Sequence, residues 1–125
     1  MDKQALQRTV NLKAAQVWRR LVCMHSELVR FDAPTIKLNG RLYRTAGRCY
    51  QEENVVELGT QFFTYKDGWH REMLEVILPH EIIHRADWVL YGKSEKKCGH
   101  GKTWQRLMVQ YGLEPSPYHN LWITK

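Results

Sequence analysis

Two histidines four residues apart, His80 and His84, enclose Glu81 in the stretch HEIIH, and a third, His100, stands between two glycines in CGHGKTW. On a helix, residues four apart share a face about 6 Å from one another along the axis. Two imidazoles leaning together from that distance can each place a nitrogen about 2.0–2.1 Å from one zinc ion. Glu81 is offset by about 100° around the axis, so its carboxylate stands beside the metal instead of on it. There it can take a proton from an activated water. One segment thus supplies two ligands, His80 and His84, and a general base, Glu81.

The glycines around His100 first suggest a phosphate loop, because Gly101, Lys102 and Thr103 match its end. That pattern needs a glycine at position 96, which is Lys96, so the spacing excludes it. A catalytic zinc site instead needs a third protein ligand and an open position. The metzincin continuation fails, since Asp87 and Leu90 occupy its glycine and histidine positions. The remaining candidates are Asp87, Glu95, Cys98, His100, Glu114 and His119. Asp87, one turn beyond His84, is better placed to orient a ligand's far nitrogen or to pair with Arg85 at the surface. Glu95 belongs to the charged run KSEKK, and Cys98 precedes the glycine pair. His100 is the preferred third ligand, because flanking glycines free the backbone to turn its side chain inward.

These residues need elements to hold them. Residues 3 to 30 read as one helix, with Val10, Ala14, Val17, Leu21 and Leu28 at helical spacing, ended by Asp32, Ala33 and Pro34. Residues 35–38 alternate as a strand, and Asn39-Gly40 predicts a two-residue hairpin that returns along residues 41–46. After a polar turn near residues 52–54, Val55, Val56 and Leu58 form a third strand, and Asp67-Gly68 marks another loop. Residues 71–90 are apolar in nearly every direction around a helix axis, so this helix is buried, although Pro79 conflicts with its interior. A last helix over residues 102–111 carries Trp104, Leu107, Met108 and Tyr111 on one stripe and stops at Gly112. A buried helix should not hold two histidines and a glutamate unpaired, since each unsatisfied polar group costs kcal/mol. One metal ion satisfies all three.

The chain has 125 residues, enough for one domain. Three cysteines, Cys23, Cys49 and Cys98, with no C-x-x-C spacing argue against a disulfide framework and a zinc ribbon. No apolar run approaches the ~18 residues of a membrane span, and the N-terminus lacks a signal-peptide core. An intracellular protein, cytoplasmic or nuclear, is expected. Net charge is +6, unevenly spread. Residues 1–48 carry ten Lys/Arg against three Asp/Glu, residues 49–92 three against eight, and residues 93–125 six against two. Basic flanks around an acidic middle suit docking on a polyanion.

HEIIH followed by HGKTW at 100–104 resembles the SprT-like metalloprotease domain, which includes the Spartan proteases. The stretch TAG at 45–47, the strand-like NVVEL and the leading helix extend the likeness over most of residues 5–112. The resemblance implies a zincin-like α+β fold, here a single domain over residues 1–125. Its elements would be an N-terminal helix, a small antiparallel or mixed three-stranded sheet, a buried HExxH helix and a C-terminal helix. It implies Zn2+ held by His80, His84 and His100, and Glu81 as general base. It further implies peptide-bond hydrolysis, in Spartan directed at proteins crosslinked to DNA and stimulated by DNA. Many relatives add a C-terminal zinc ribbon; none is expected here, since no cysteine pair is spaced for one, so DNA would be met through the basic flanks, and a monomer is expected. Tyr111, Tyr118, His119 and His70 are open candidates for an oxyanion donor. Two rivals stay open: a zinc hydrolase of a non-peptide substrate, and a nucleic-acid-binding module whose zinc is structural. In the second, Lys93, Lys96, Lys97, Lys102 and Arg106 would meet phosphates and Trp69 or Trp88 would stack on bases.

Overall fold

The computed structural model describes residues 2–92, 100–116 and 121–123. Helix α1 spans Lys3–Met24 and is capped by Asp2, whose carboxylate accepts from the Ala5 amide at 2.7 Å. Leu6, Val10, Ala14, Val17, Trp18 and Leu21 form its buried face. The expected continuation to residue 30 does not hold. His25 is extended, and Ser26–Arg30 form a short 3-10 turn that buries Leu28. A continuing helix would carry Leu28 about 10 Å beyond Leu21 along the axis. Folding back keeps it in the core and brings the Phe31 carbonyl to the Trp18 indole N–H at 2.9 Å.

Three strands follow: β1 (Thr35–Asn39), β2 (Gly47–Tyr50) and β3 (Val55–Gly59). The sheet is mixed, with order β1-β3-β2. β1 runs parallel to β3, Ile36 opposite Val56 and Leu38 opposite Leu58, and β2 runs antiparallel to it. The hairpin expected at Asn39-Gly40 is therefore absent, and residues 41–46 are not a strand. A type I′ turn needs positive φ at both central residues, and neither Asn39 nor Gly40 adopts it. Instead the Asn39 carboxamide accepts from the Arg41 amide at 2.9 Å and donates to Glu57 at 3.1 Å. The actual hairpin joins β2 to β3, through a turn in which Asn54 takes φ of 60°.

A 3-10 turn, Thr60–Phe63, leads to a continuous helical rod. It opens as α2 (Trp69–Glu72), widens into a π turn over Met73–Ile77 and continues as α3 (Leu78–Tyr91). The π turn settles the conflict at Pro79. The Leu78 amide reaches back to the Met73 carbonyl, and the proline falls in the first turn of α3, where its missing N–H costs little. Helix α4, Lys102–Tyr111, ends as expected at Gly112, whose φ is 103°. α3 packs against α1, α4 and β2, so the HEIIH segment lies at the centre of the fold. Arg20 ties α1 to α4, with its guanidinium 4.1 Å above the Tyr111 ring. Among the described residues, no helix is long and apolar enough to cross a membrane.

Candidate metal centre

The two-sided chemistry of α3 follows from its register. His80, His84 and Asp87 lie on one face at i, i+4 and i+7, and Glu81 and Arg85 on the neighbouring face at i and i+4. His80 and His84 are both buried, and their ring centroids are 5.1 Å apart. His100, half-buried just before α4, closes the cluster at 5.7 Å from His80 and 4.6 Å from His84. One nitrogen from each of the three rings lies within 4.8 Å of the other two. Ligand nitrogens on one tetrahedral zinc ion are about 3.4 Å apart, so small side-chain rotations would close this set on an ion. Three neutral nitrogen donors in a mostly buried cluster suit zinc or a similar divalent metal.

Glu81 stands where a base is useful. Its carboxylate oxygen Oε2 is 3.8 Å from His80 Nε2, and the residue is only 4% exposed. It belongs to no metal-binding group with the three histidines. Strand β2 covers this face. Gly47 faces the Glu81 side chain directly, and a Cβ there would meet Glu81 Cγ at 3.1 Å. Beyond β2, Gln51 grips α3 at two points. Its side-chain amide donates to the His84 carbonyl at 2.8 Å, and its own carbonyl accepts from Arg85 Nη1 at 2.6 Å. Burial lowers the Arg85 guanidinium below its ordinary pKa, opposed by the Cys49 thiol. The Cys49 thiol is pushed far up, first by burial and then by the Glu81 charge. It is a poor nucleophile there.

Helix α4 supplies the other wall. Trp104 is fully buried against all three rings, stacked on His84 at 4.9 Å and 12°, and edge-on to His80 at 4.8 Å and His100 at 4.7 Å. Among the described residues its indole N–H has no hydrogen-bond partner. Asp87 does not pair with Arg85 at the surface. It is 1% exposed and accepts from the Thr103 hydroxyl at 2.5 Å. Burial raises its pKa, and the Thr103 bond partly opposes this.

The structure thus brings together His80, Glu81, His84 and His100. Glu114 is exposed, Tyr111 lies under Arg20, and His70 meets the edge of Phe63. Trp69 is half-buried between Phe62 and Tyr65, and Trp88 is half-buried beside Arg85. Glu95, Cys98, Lys93, Lys96, Lys97, Tyr118 and His119 lie outside the described residues. Gly47, Gln51 and Thr103 were not foreseen as site residues. Gly47 alone left a signal, a glycine where a strand was expected to end.

The SprT-like family matches the chain over residues 14–119. This chain belongs to the SprT-like family. It is similar to Protein SprT of Actinobacillus succinogenes, at 26% identity over 110 residues, 83% of this chain and 61% of that protein. It is also similar to Germ cell nuclear acidic protein of Drosophila melanogaster, at 37% identity over 70 residues, 51% of this chain and 6% of that protein. The chain therefore spans less than two thirds of either relative's length. No solved structure matches it significantly. The three converging imidazoles of this SprT-like chain could bind a metal ion.

Proposed function

We propose that this chain is a zinc-dependent metalloprotease in which His80, His84 and His100 hold the ion and Glu81 is the general base. The observation that carries this reading is the convergence of three imidazoles with a buried carboxylate 3.8 Å from one of them. Zinc held there would supply Lewis acidity, activating a water and polarising a peptide carbonyl. Glu81 Oε2 receives the proton of the attacking water and returns it to the leaving amine, a contribution of about 10²–10⁴ in rate. His80 and His84, fixed by one helix, present their nitrogens from one side, and His100 approaches from the other element. Trp104 and the β2 strand exclude water from two walls of the cluster, which strengthens the electrostatic interactions inside it.

A structural zinc site has four protein ligands. Among the described residues three donors converge, which favours a catalytic site. The substrate is proposed to be a protein bound to or crosslinked to DNA, met inside the cell by a monomer. The uneven charge supports this, with ten Lys/Arg in residues 1–48. So does the likeness to the Spartan proteases. A cleavage assay on a DNA-bound protein, with and without DNA and with Glu81→Gln as control, tests both levels. DNA-dependent cleavage that weakens steeply with salt and vanishes in the variant is expected. Equal cleavage without DNA would reject the DNA-linked role alone, and full activity of Glu81→Gln would reject the mechanism.

A further inference from the structure

His80 and His84 are placed by α3 itself, whereas His100 belongs to a different part of the chain. Only Gly101 separates it from Lys102, the first residue of α4. The position of its ring therefore depends on how the first turn of α4 docks on α3. Within this segment the Gln105 side chain donates to the His100 carbonyl at 3.1 Å, and the Gln105 amide donates to the Gly101 carbonyl at 3.0 Å. Both lie within the α4 segment. Across to α3, Thr103 in the first turn of α4 donates to Asp87, one turn beyond His84 on the ligand face.

Asp87 is an unusual residue for that position. A carboxyl 1% exposed on an apolar helix costs free energy unless it is bonded, and a leucine would pack there without that cost. Its neighbour Arg85 does not compensate it, since that guanidinium is turned to the Gln51 carbonyl and the rings of Trp88 and Phe31. Nor does Asp87 join the cluster of potential ligands. It accepts instead from the hydroxyl of Thr103, next in sequence to Trp104, the ring that touches all three imidazoles.

We infer that Asp87 and Thr103 are positioning residues, whose bond seats the first turn of α4 on α3 and thereby fixes His100 and Trp104 against His80 and His84. This rests on the reading of the three histidines as one metal site and adds what sets that site's affinity. A side chain acting through a ligand in this way typically changes metal affinity by about 10–100-fold.

The test is a zinc titration of the metal-free protein against a chromogenic chelator, for wild type, Thr103→Val, Thr103→Ser, His100→Ala and the His100→Ala/Thr103→Val pair. The visible spectrum of the Co2+ form reports the ligand set. Wild type should bind one ion, Thr103→Val about 10–100-fold more weakly with an altered cobalt spectrum, and Thr103→Ser as wild type. In the His100→Ala background Thr103→Val should have no further effect, because the ligand it positions is gone. Should Thr103→Val not fold, Asp87→Val/Thr103→Val removes both partners, leaves no buried group unpaired and must show the same loss. Unchanged affinity of Thr103→Val, or an equal loss with and without His100, overturns the positioning role while leaving the metal site intact. A wild-type protein that binds no ion overturns both.

Discussion

The backbone of Gly47 lies so close to Glu81 that a Cβ on it would stand 3.1 Å from the glutamate Cγ, 3.1 Å from Leu58 Cδ2 and 3.3 Å from Ile77 Cγ2. Leu58 and Ile77 are themselves buried, so the added methyl has packed neighbours on three sides. Gly47→Ala is expected to displace Glu81 by a few tenths of an ångström. Misplacing a reacting group by about 1 Å can cost about 10²-fold in rate, so kcat should fall about 10-fold at unchanged zinc affinity. Steady-state kinetics together with a zinc titration check this, and an unchanged kcat would show that Glu81 tolerates the shift.

Glu81→Gln keeps the shape of the side chain and removes its ability to take a proton. Zinc content should stay at the wild-type level, and peptide cleavage should drop by about 10²–10⁴. Metal analysis and a peptidase assay on the same preparation decide it.

Trp104 offers a stability test. Trp104→Ala empties a fully buried volume against three imidazoles, at a cost of about 3–5 kcal/mol. That is a large share of the 5–15 kcal/mol typical of a domain. Trp104→Phe keeps a ring over His84 and leaves a smaller cavity, while the N–H it removes has no partner among the described residues, so it should cost less. Urea unfolding of the metal-free proteins ranks the two, and a Phe variant as unstable as the Ala variant would show that a ring over His84 does not preserve the packing of this wall.

Much of this centre was legible in the sequence because its elements are local. HEIIH declares its helix and places its two histidines on one face together, and Gly112 marks the end of α4 as expected. His100 was reached through its glycines and its spacing to Trp104. The sheet was misread because β1 pairs with β3 across intervening β2, a non-local choice that Asn39-Gly40 cannot report. The turn chemistry of Asn39 was real but served an Arg41 contact instead of a hairpin. Pro79 looked like a defect in a helix because a π turn has no periodicity of its own to read. The surface pairing with Arg85, one of the two readings open for Asp87, failed for a related reason. The partner of Asp87, Thr103, lies on another helix, and only the packing of α4 on α3 reveals it.

Asp87 also gives the metal-free protein a pH dependence. Burial raises its folded-state pKa, so the folded chain binds this proton more tightly than the unfolded chain, whose Asp titrates near ~3.9. Stability contributed by the protonated group is full below that value and falls as pH rises toward the folded pKa, then stays level. Asp87→Asn, which cannot ionise but keeps an oxygen for Thr103, should therefore gain stability relative to wild type as pH rises above about 4. Thermal unfolding of both metal-free proteins from acid to neutral pH measures this, and parallel curves would show that Asp87 is not perturbed.

The most direct measurement is anomalous diffraction at the zinc absorption edge from crystals of the zinc-loaded protein. One peak is expected, about 2.0–2.1 Å from a nitrogen of each of His80, His84 and His100, with the Glu81 carboxylate beside it and not bound to it. A peak held by other residues, or by His80 and His84 with the His100 ring turned away, would contradict the three-imidazole site.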